Sequence, residues 1–227
     1  MVRYRDSDLS WLGYATIRLA GDRTVYLDPG RYGVLDGYDA RDGDVVCVTH
    51  DHHYDPDGIR RVAEPDATIV VYEGVDAANI DRDVTPVADL DYDVVRVGED
   101  ATVTVDGVRV RSLPVYNRPD GPRDTHPPGF GVGYLVTVGD ARVLWTGDSD
   151  ALPHHDDLDV DVLCPPVGGS FTMNREDAAA LAERMKPDLV VPVHYDTFAA
   201  LETDADAFVT DVARRGIGVA LNDSRDQ

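Results

Sequence analysis

Apolar and polar positions alternate along this chain in short blocks, and the blocks define the expected elements. Residues 15–20 and 23–28 read as two alternating strands joined at Gly21-Asp22, a hairpin signal. Residues 44–49 form a short, nearly continuous apolar run, as expected of a strand covered on both faces; it ends at His50. A short helix is predicted from Pro56 to about Val62, followed by a strand over 68–72. The middle repeats the hairpin pattern. Strands 101–105 and 108–113 flank Asp106-Gly107, a strong tight-turn pair, and strands 133–138 and 142–146 flank Gly139-Asp140-Ala141. In the last third, strand 159–164 precedes a helix over 174–186, in which Ala178, Leu181, Ala182 and Met185 share one face and Pro187 is the stop. Strand 189–193, a helix around 204–215 and strand 217–221 complete the pattern. Strands with interspersed helices in two similar halves predict a layered α/β fold.

Composition narrows this picture. The 227 residues suit one domain spanning 1–227, because single α/β domains reach about 250 residues. No stretch approaches the roughly 18 consecutive apolar residues of a membrane helix, and residues 1–8 lack the apolar core of a signal peptide. The expected location is therefore the cytoplasm. Cys47 and Cys164 each sit in an apolar run and read as small buried hydrophobes, in keeping with a reducing compartment. The chain has 43 acidic against 21 basic side chains, a formal net charge of −22. Such a surface repels nucleic acid and anionic membranes, so neither is an expected partner; a small-molecule substrate is. The spread of aspartates along the chain resembles proteins of salt-loving archaea.

The candidate chemistry lies in where the histidines fall. His50-Asp51-His52 follows the buried strand, and on an extended segment positions i and i+2 point to the same side, so both imidazoles can reach one ion. His126 lies in a long loop rich in proline and glycine, from Asn117 to Phe130; long loops in compact domains are often functional. Asp148 follows strand 142–146, and His194 ends strand 189–193. Imidazole and carboxylate donors suit zinc first, with manganese or iron as the other fitting ions. His154-His155 reads as an exposed loop.

These landmarks follow the order of a known family. Trp11-Leu12-Gly13-Tyr14-Ala15 resembles W-L-G-H-A, Leu27-Asp28-Pro29 resembles an early D-P, and Thr49-His50-Asp51-His52-His53-Tyr54-Asp55 resembles T-H-D-H-Y-D-H. Tyr116-Asn117 through His126-Pro127 resembles a Y-N…H-P loop, and Thr146-Gly147-Asp148-Ser149-Asp150 resembles T-G-D-T-D. Residues 166–173 and 192–198 resemble the last two blocks. Over nearly its whole length the chain is thus similar to the metallo-β-lactamase superfamily, in the branch holding ascorbate-6-phosphate-lactonase-like proteins and N-acyl-phosphatidylethanolamine phospholipase D. The resemblance implies an αββα sandwich carrying one or two divalent metal ions. It implies that His50, His52 and His126 hold the first metal, that Asp148 bridges both, that His194 binds the second, and that Asp28 supports the ligand loop from behind. Two positions depart from the family. The H-x-H-x-D-H pattern wants Asp at 54 and His at 55, where this chain has Tyr54 and Asp55, and Tyr14 stands in place of a histidine. Asp55 is either a metal ligand or the N-cap before Pro56. His53 is a candidate replacement ligand, and Asn117 a candidate substrate contact.

The expected activity is hydrolysis of a lactone or phosphodiester. A histidine-held metal lowers the pKa of its water from about 15.7 toward about 7, giving hydroxide at neutral pH. His50, His52 and Asp148 would carry that chemistry. The alternative is a weakly catalytic or non-catalytic metal-binding member with an incomplete second site, acting as a ligand-binding or regulatory protein. The sequence carries no sign of an oligomeric state.

Overall fold

The computed structural model describes residues 1–222, so the last five residues of the expected 1–227 domain lie outside the described part. Its strands are β1 (Val2–Tyr4), β2 (Ser7–Gly13), β3 (Thr16–Ala20), β4 (Thr24–Leu27), β5 (Gly43–Val48), β6 (Ala63–Tyr72), β7 (Asp93–Val97), β8 (Thr102–Val105), β9 (Val108–Val115), β10 (Gly131–Val138), β11 (Ala141–Trp145), β12 (Val162–Cys164), β13 (Leu189–Val190) and β14 (Gly218–Val219). The helices are α1 (Pro56–Val62), α2 (Arg175–Met185) and α3 (Ala205–Arg214).

Seven strands in the order β1-β2-β3-β4-β5-β6-β7 make one sheet, and seven in the order β14-β13-β12-β11-β10-β9-β8 make the other. Each sheet begins antiparallel and turns parallel, at β4–β5 in the first and at β11–β12 in the second. Helices flank the two sheets, which is the expected αββα arrangement. Hydrogen bonds tie sheet to sheet: the Tyr134 hydroxyl on β10 donates to the Val48 carbonyl of β5 over 3.0 Å, and Trp145 Nε1 at the end of β11 donates to Asp28 beyond β4 over 2.7 Å. Tyr134 and Trp145 are fully buried beside Ile17, Leu27, Val46 and Leu144. Both cysteines are buried, and burial pushes each thiol well above its usual range.

Local signals hold where capping is local. Asn174 caps α2 by accepting from the Asp177 amide, and Lys186, left-handed at φ 53°, ends it. Asp204 caps α3 through the Ala207 amide. Three strands, the edge strands β1 and β7 and the interior strand β2, were not expected from the pattern. Strand β6 begins at Ala63 rather than Thr68, while β13 stops at Val190, with Val193 making only an isolated bridge to Pro166. Among the described residues, no helix is long and apolar enough to cross a membrane.

Parallel strands share one C-terminal edge. Asp28 follows β4, Thr49 and His50 follow β5, and Asp148 follows β11. The chain beyond β13 reaches His194. Strand topology thus delivers residues far apart in sequence to one rim.

Candidate metal centre

The segment after β5 is a turn, not an extended strand. The His53 amide donates to the His50 carbonyl and the Tyr54 amide to the Asp51 carbonyl. The expected i, i+2 geometry of His50 and His52 is therefore replaced by a tight reversal. The turn brings the His53 ring to 4.2 Å from that of His50, closer than the 5.1 Å separating His50 from His52. His52 stays at the solvent side while His50 and His53 are buried.

Asp148 is the hub. Its Oδ2 lies 3.3 Å from His126 Nε2 and 3.7 Å from His50 Nε2; its Oδ1 lies 3.4 Å from His194 Nε2 and 3.5 Å from His53 Nε2. His52 Nδ1 is 3.2 Å from His126 Nε2. Two overlapping groups have donor atoms close enough to share an ion: His50, His52 and His126, and His50, His53 and Asp148.

A backing layer orients these rings. Asp28 accepts from the Thr49 amide, the Thr49 hydroxyl, Trp145 Nε1 and His53 Nδ1, all at 2.7–2.8 Å. Three of these donors converge on Oδ2 and the Thr49 amide takes Oδ1, so both carboxylate oxygens are engaged. The Thr49 hydroxyl, having donated to Asp28, accepts from His50 Nδ1 at 2.9 Å. His50 and His53 therefore carry their proton on Nδ1 and turn Nε2 inward, the arrangement that suits imidazole ligands. His126 Nδ1 faces the Phe171 carbonyl at 3.2 Å, which leaves its Nε2 directed at Asp148. Asn117 staples that loop: its Oδ1 accepts from the His126 amide and its Nδ2 donates to Phe171. Both ends of the Asn117 amide thus hold the loop in place. Close approach also requires glycine at 131, where a Cβ would lie 2.8 Å from the Cβ of His50.

Asp55 stands outside the cluster. Its Oδ1 accepts from the amides of Asp57 and Gly58, and its Oδ2 accepts from the amide of Arg31 at 2.7 Å. Of the two roles open to Asp55, cap and ligand, it is the cap that the coordinates display. His53 instead faces Asp148. His155 also departs from expectation. It is buried in a short 3-10 turn, Pro153–Asp157, and accepts from the Leu152 amide at Nδ1, while only His154 remains partly exposed.

The electrostatics follow from burial. Desolvation holds His50 well below the usual imidazole range and lowers His126; it takes His52 and His194 down to about 4. His53 is the exception: burial opposes its protonation, but the Asp148 and Asp28 carboxylates outweigh burial and raise it. Asp148 is itself held well below the carboxylate range, because the surrounding imidazoles overcome a strong desolvation cost.

The donor set fits a divalent cation. His50 Nε2, His53 Nε2, His194 Nε2 and Asp148 Oδ1 are buried and lack hydrogen-bond partners, though they face one another. Each such atom costs about 1–3 kcal/mol if left unsatisfied. One positive charge among them removes that cost, and neutral imidazoles with a carboxylate are suitable donors. The cluster floors a cavity of about 440 Å³, within the usual size of small-molecule sites.

The signal for Thr49, Trp145 and the Phe171 carbonyl was absent from the sequence. A threonine and a tryptophan at strand ends look like ordinary sheet residues, and a backbone carbonyl has no residue signature.

Residues 8–194 match the family model for the beta-lactamase superfamily domain. A metal-dependent hydrolase of Methanoculleus marisnigri is 32% identical over 222 residues, covering 94% of this chain and 92% of the relative. Another from Methanopyrus kandleri is 28% identical, covering 94% of each. Among solved structures, the metallo hydrolase Igni18 of the archaeon Ignicoccus hospitalis superposes with a TM-score of 0.71 at 20% identity, over 95% of this chain and 94% of that one.

Proposed function

This chain belongs to the metallo-β-lactamase superfamily, and on that footing we propose that it is a metal-dependent hydrolase acting on a lactone or phosphodiester. The observation carrying the proposal is the convergence of unpartnered buried donors on Asp148. In this reading His50, His52 and His126 form one side of the centre, His53 and His194 the other, and Asp148 lies between them. His53 takes the place of the missing family ligand, and its hydrogen bond to Asp28 supports that role. The centre takes one or two divalent ions, zinc by donor type.

A bound cation would supply the charge that acidifies water and polarises the substrate oxygen. The protein's own groups do the rest. Asp148 stays ionised despite burial and is placed to accept a hydrogen bond from the attacking water and orient it. Thr49, Asp28 and the Phe171 carbonyl keep the imidazoles in one tautomer, so that no proton has to move before substrate arrives. Tyr14 lines the cavity beside His194, with ring centroids 4.5 Å apart. Burial and the Asp148 charge push its phenol well above 10, so it remains protonated and able to donate to a leaving group. The acidic composition supports work in concentrated salt, and the chain's composition supports a cytoplasmic setting.

The test is metal content together with turnover of a lactone and phosphodiester panel in concentrated potassium chloride. Full metal loading without turnover of any member would overturn the assignment of these substrate classes.

A further inference from the structure

The cavity above the cluster holds a second feature that the metal chemistry does not use. Arg31 and Arg82, 51 positions apart, both line it. In a chain with 43 acidic and 21 basic side chains, most arginines have a choice of carboxylates. Arg31 and Arg82 form no ion pair among the described residues. Instead they bind backbone. Arg31 Nε donates to the His52 carbonyl at 2.9 Å, and Arg82 Nη2 donates to the Tyr54 carbonyl at 2.8 Å. Each guanidinium has five N–H donors, so each keeps several that nothing in the described chain accepts. Burial lowers the Arg82 pKa and the Arg31 charge adds to this, against the pull of the Asp55 carboxylate.

Two guanidinium groups lining one cavity, neither in an ion pair among the described residues, favour the arrival of an anion. Of the three acids lining the cavity, Asp51 is engaged by the Asp76 amide, Asp81 is exposed, and Asp148 is surrounded by the histidines of the cluster. Tyr14, Tyr32 and Phe198 form an aromatic wall, with the Tyr32 centroid 4.8 Å from Tyr14 and 4.9 Å from Phe198, and the Arg31 guanidinium lies over the Tyr32 ring at 4.7 Å.

We propose that Arg31 and Arg82 form an anion subsite beside the metal centre, so that the substrate is a small molecule bearing a carboxylate or phosphate group apart from its scissile bond. This rests on the hydrolase reading above and names the class of molecule that site takes. The fixed fork of each guanidinium suits either anion, and the aromatic wall seats the apolar part that joins the anion to the reacting bond.

The experiment has a binding arm and a turnover arm, both on the metal-loaded full chain. Calorimetric titration with glutarate and with inorganic phosphate is compared between the unaltered protein and Arg31→Gln, Arg82→Gln and Arg82→Lys. Loss of a charged hydrogen bond is worth about tenfold or more in affinity, so each Gln variant should weaken binding by at least about that factor. Arg82→Lys should recover part of it, with metal content unchanged in all. The variant set also separates the sources: a larger loss for phosphate assigns a phosphorylated substrate, and a larger loss for glutarate a carboxylated one. Equal binding by all four metal-replete proteins, or no binding of either anion, would overturn the subsite, since an anion held by the metal alone ignores both arginines. In the turnover arm, the 4-nitrophenyl monoester of glutarate should be preferred over 4-nitrophenyl butyrate, and the preference should collapse through KM in Arg82→Gln. Intact anion binding with no ester turnover would defeat the hydrolase reading while leaving the subsite in place. Turnover of the neutral ester with no preference for the anionic one would do the reverse.

Discussion

His53 Nδ1 lies 2.8 Å from Asp28 Oδ2 while its Nε2 lies 3.5 Å from Asp148 Oδ1, so one imidazole bridges two buried carboxylates. The residue occupies this position because the chain turns at His50 instead of continuing β5. Asp28 in turn is held by Thr49 and Trp145, one from each sheet. The candidate centre is therefore anchored across the sandwich rather than on a single loop.

Asp28→Asn should loosen the centre without emptying the cavity. The substitution removes the anionic acceptor behind His53 and Thr49, and such backing partners are worth about 10–100-fold in metal affinity. Competition against a chromophoric chelator measures this. A loss below twofold would count against the bridging role of His53. Trp145→Phe, which removes one of the four donors, should have a smaller effect.

Asp55→Ala separates cap from ligand. The cap accepts the Asp57 and Gly58 amides, so its removal should cost about 1 kcal/mol of stability. Metal stoichiometry should stay as in the parent protein. Loss of an ion in the variant, measured by elemental analysis, would return Asp55 to the ligand set.

Metal removal should destabilise the fold. At a free ion concentration of about 100 times Kd, binding contributes about 2.7 kcal/mol. For a chain of this length that corresponds to a fall in Tm of roughly 5–11 °C on chelation. Differential scanning calorimetry with and without chelator tests it, and an unchanged Tm would argue that the cluster holds no ion.

His155 should make stability sensitive to acid. Burial, with the neighbouring His154 and Arg184 charges, pulls it down to about 3 from the usual 6.5. Above 6.5 the imidazole is neutral both folded and unfolded, so it adds no pH dependence. Between 6.5 and about 3 the unfolded chain binds a proton that the native state refuses, so stability falls with pH through that window, by up to about 1.4 kcal/mol per unit. His155→Asn keeps an acceptor for the Leu152 amide and should reduce the loss between pH 7 and pH 5 in urea unfolding. Parallel curves for parent and variant would contradict this.

Much of the architecture could be read from the chain because its causes are local. The Asp106-Gly107 pair makes the β8–β9 hairpin, where both residues take positive φ. Asn174, Asp204 and the Asp55-Pro56 pair start the helices through amides two or three residues away. The apolar run before His50 is an interior strand, paired with β4 and β6 and buried over 45–48. The order of His50, His126, Asp148 and His194 along the chain, each at or beyond a strand end, likewise pointed to a common rim.

What the linear order could not supply was orientation. Whether Asp55 or His53 faces Asp148 depends on the φ and ψ angles of a turn of a few residues, which decide what points inward. The Thr49 hydroxyl, Trp145 Nε1 and Asp28 meet only because two sheets face each other, a contact between residues up to 117 positions apart. Strands β1 and β7 escaped notice for a related reason: they lie at the two edges of the first sheet, and edge strands are half exposed and need no continuous apolar run. The meeting of Arg31 and Arg82 in the lining of one cavity is the extreme case, since neither residue has a local pattern around it. Periodicity and capping act over a few residues and are written in the sequence. The placement of a donor atom to within an ångström is set by packing across the whole sandwich, and only the tertiary structure decides it.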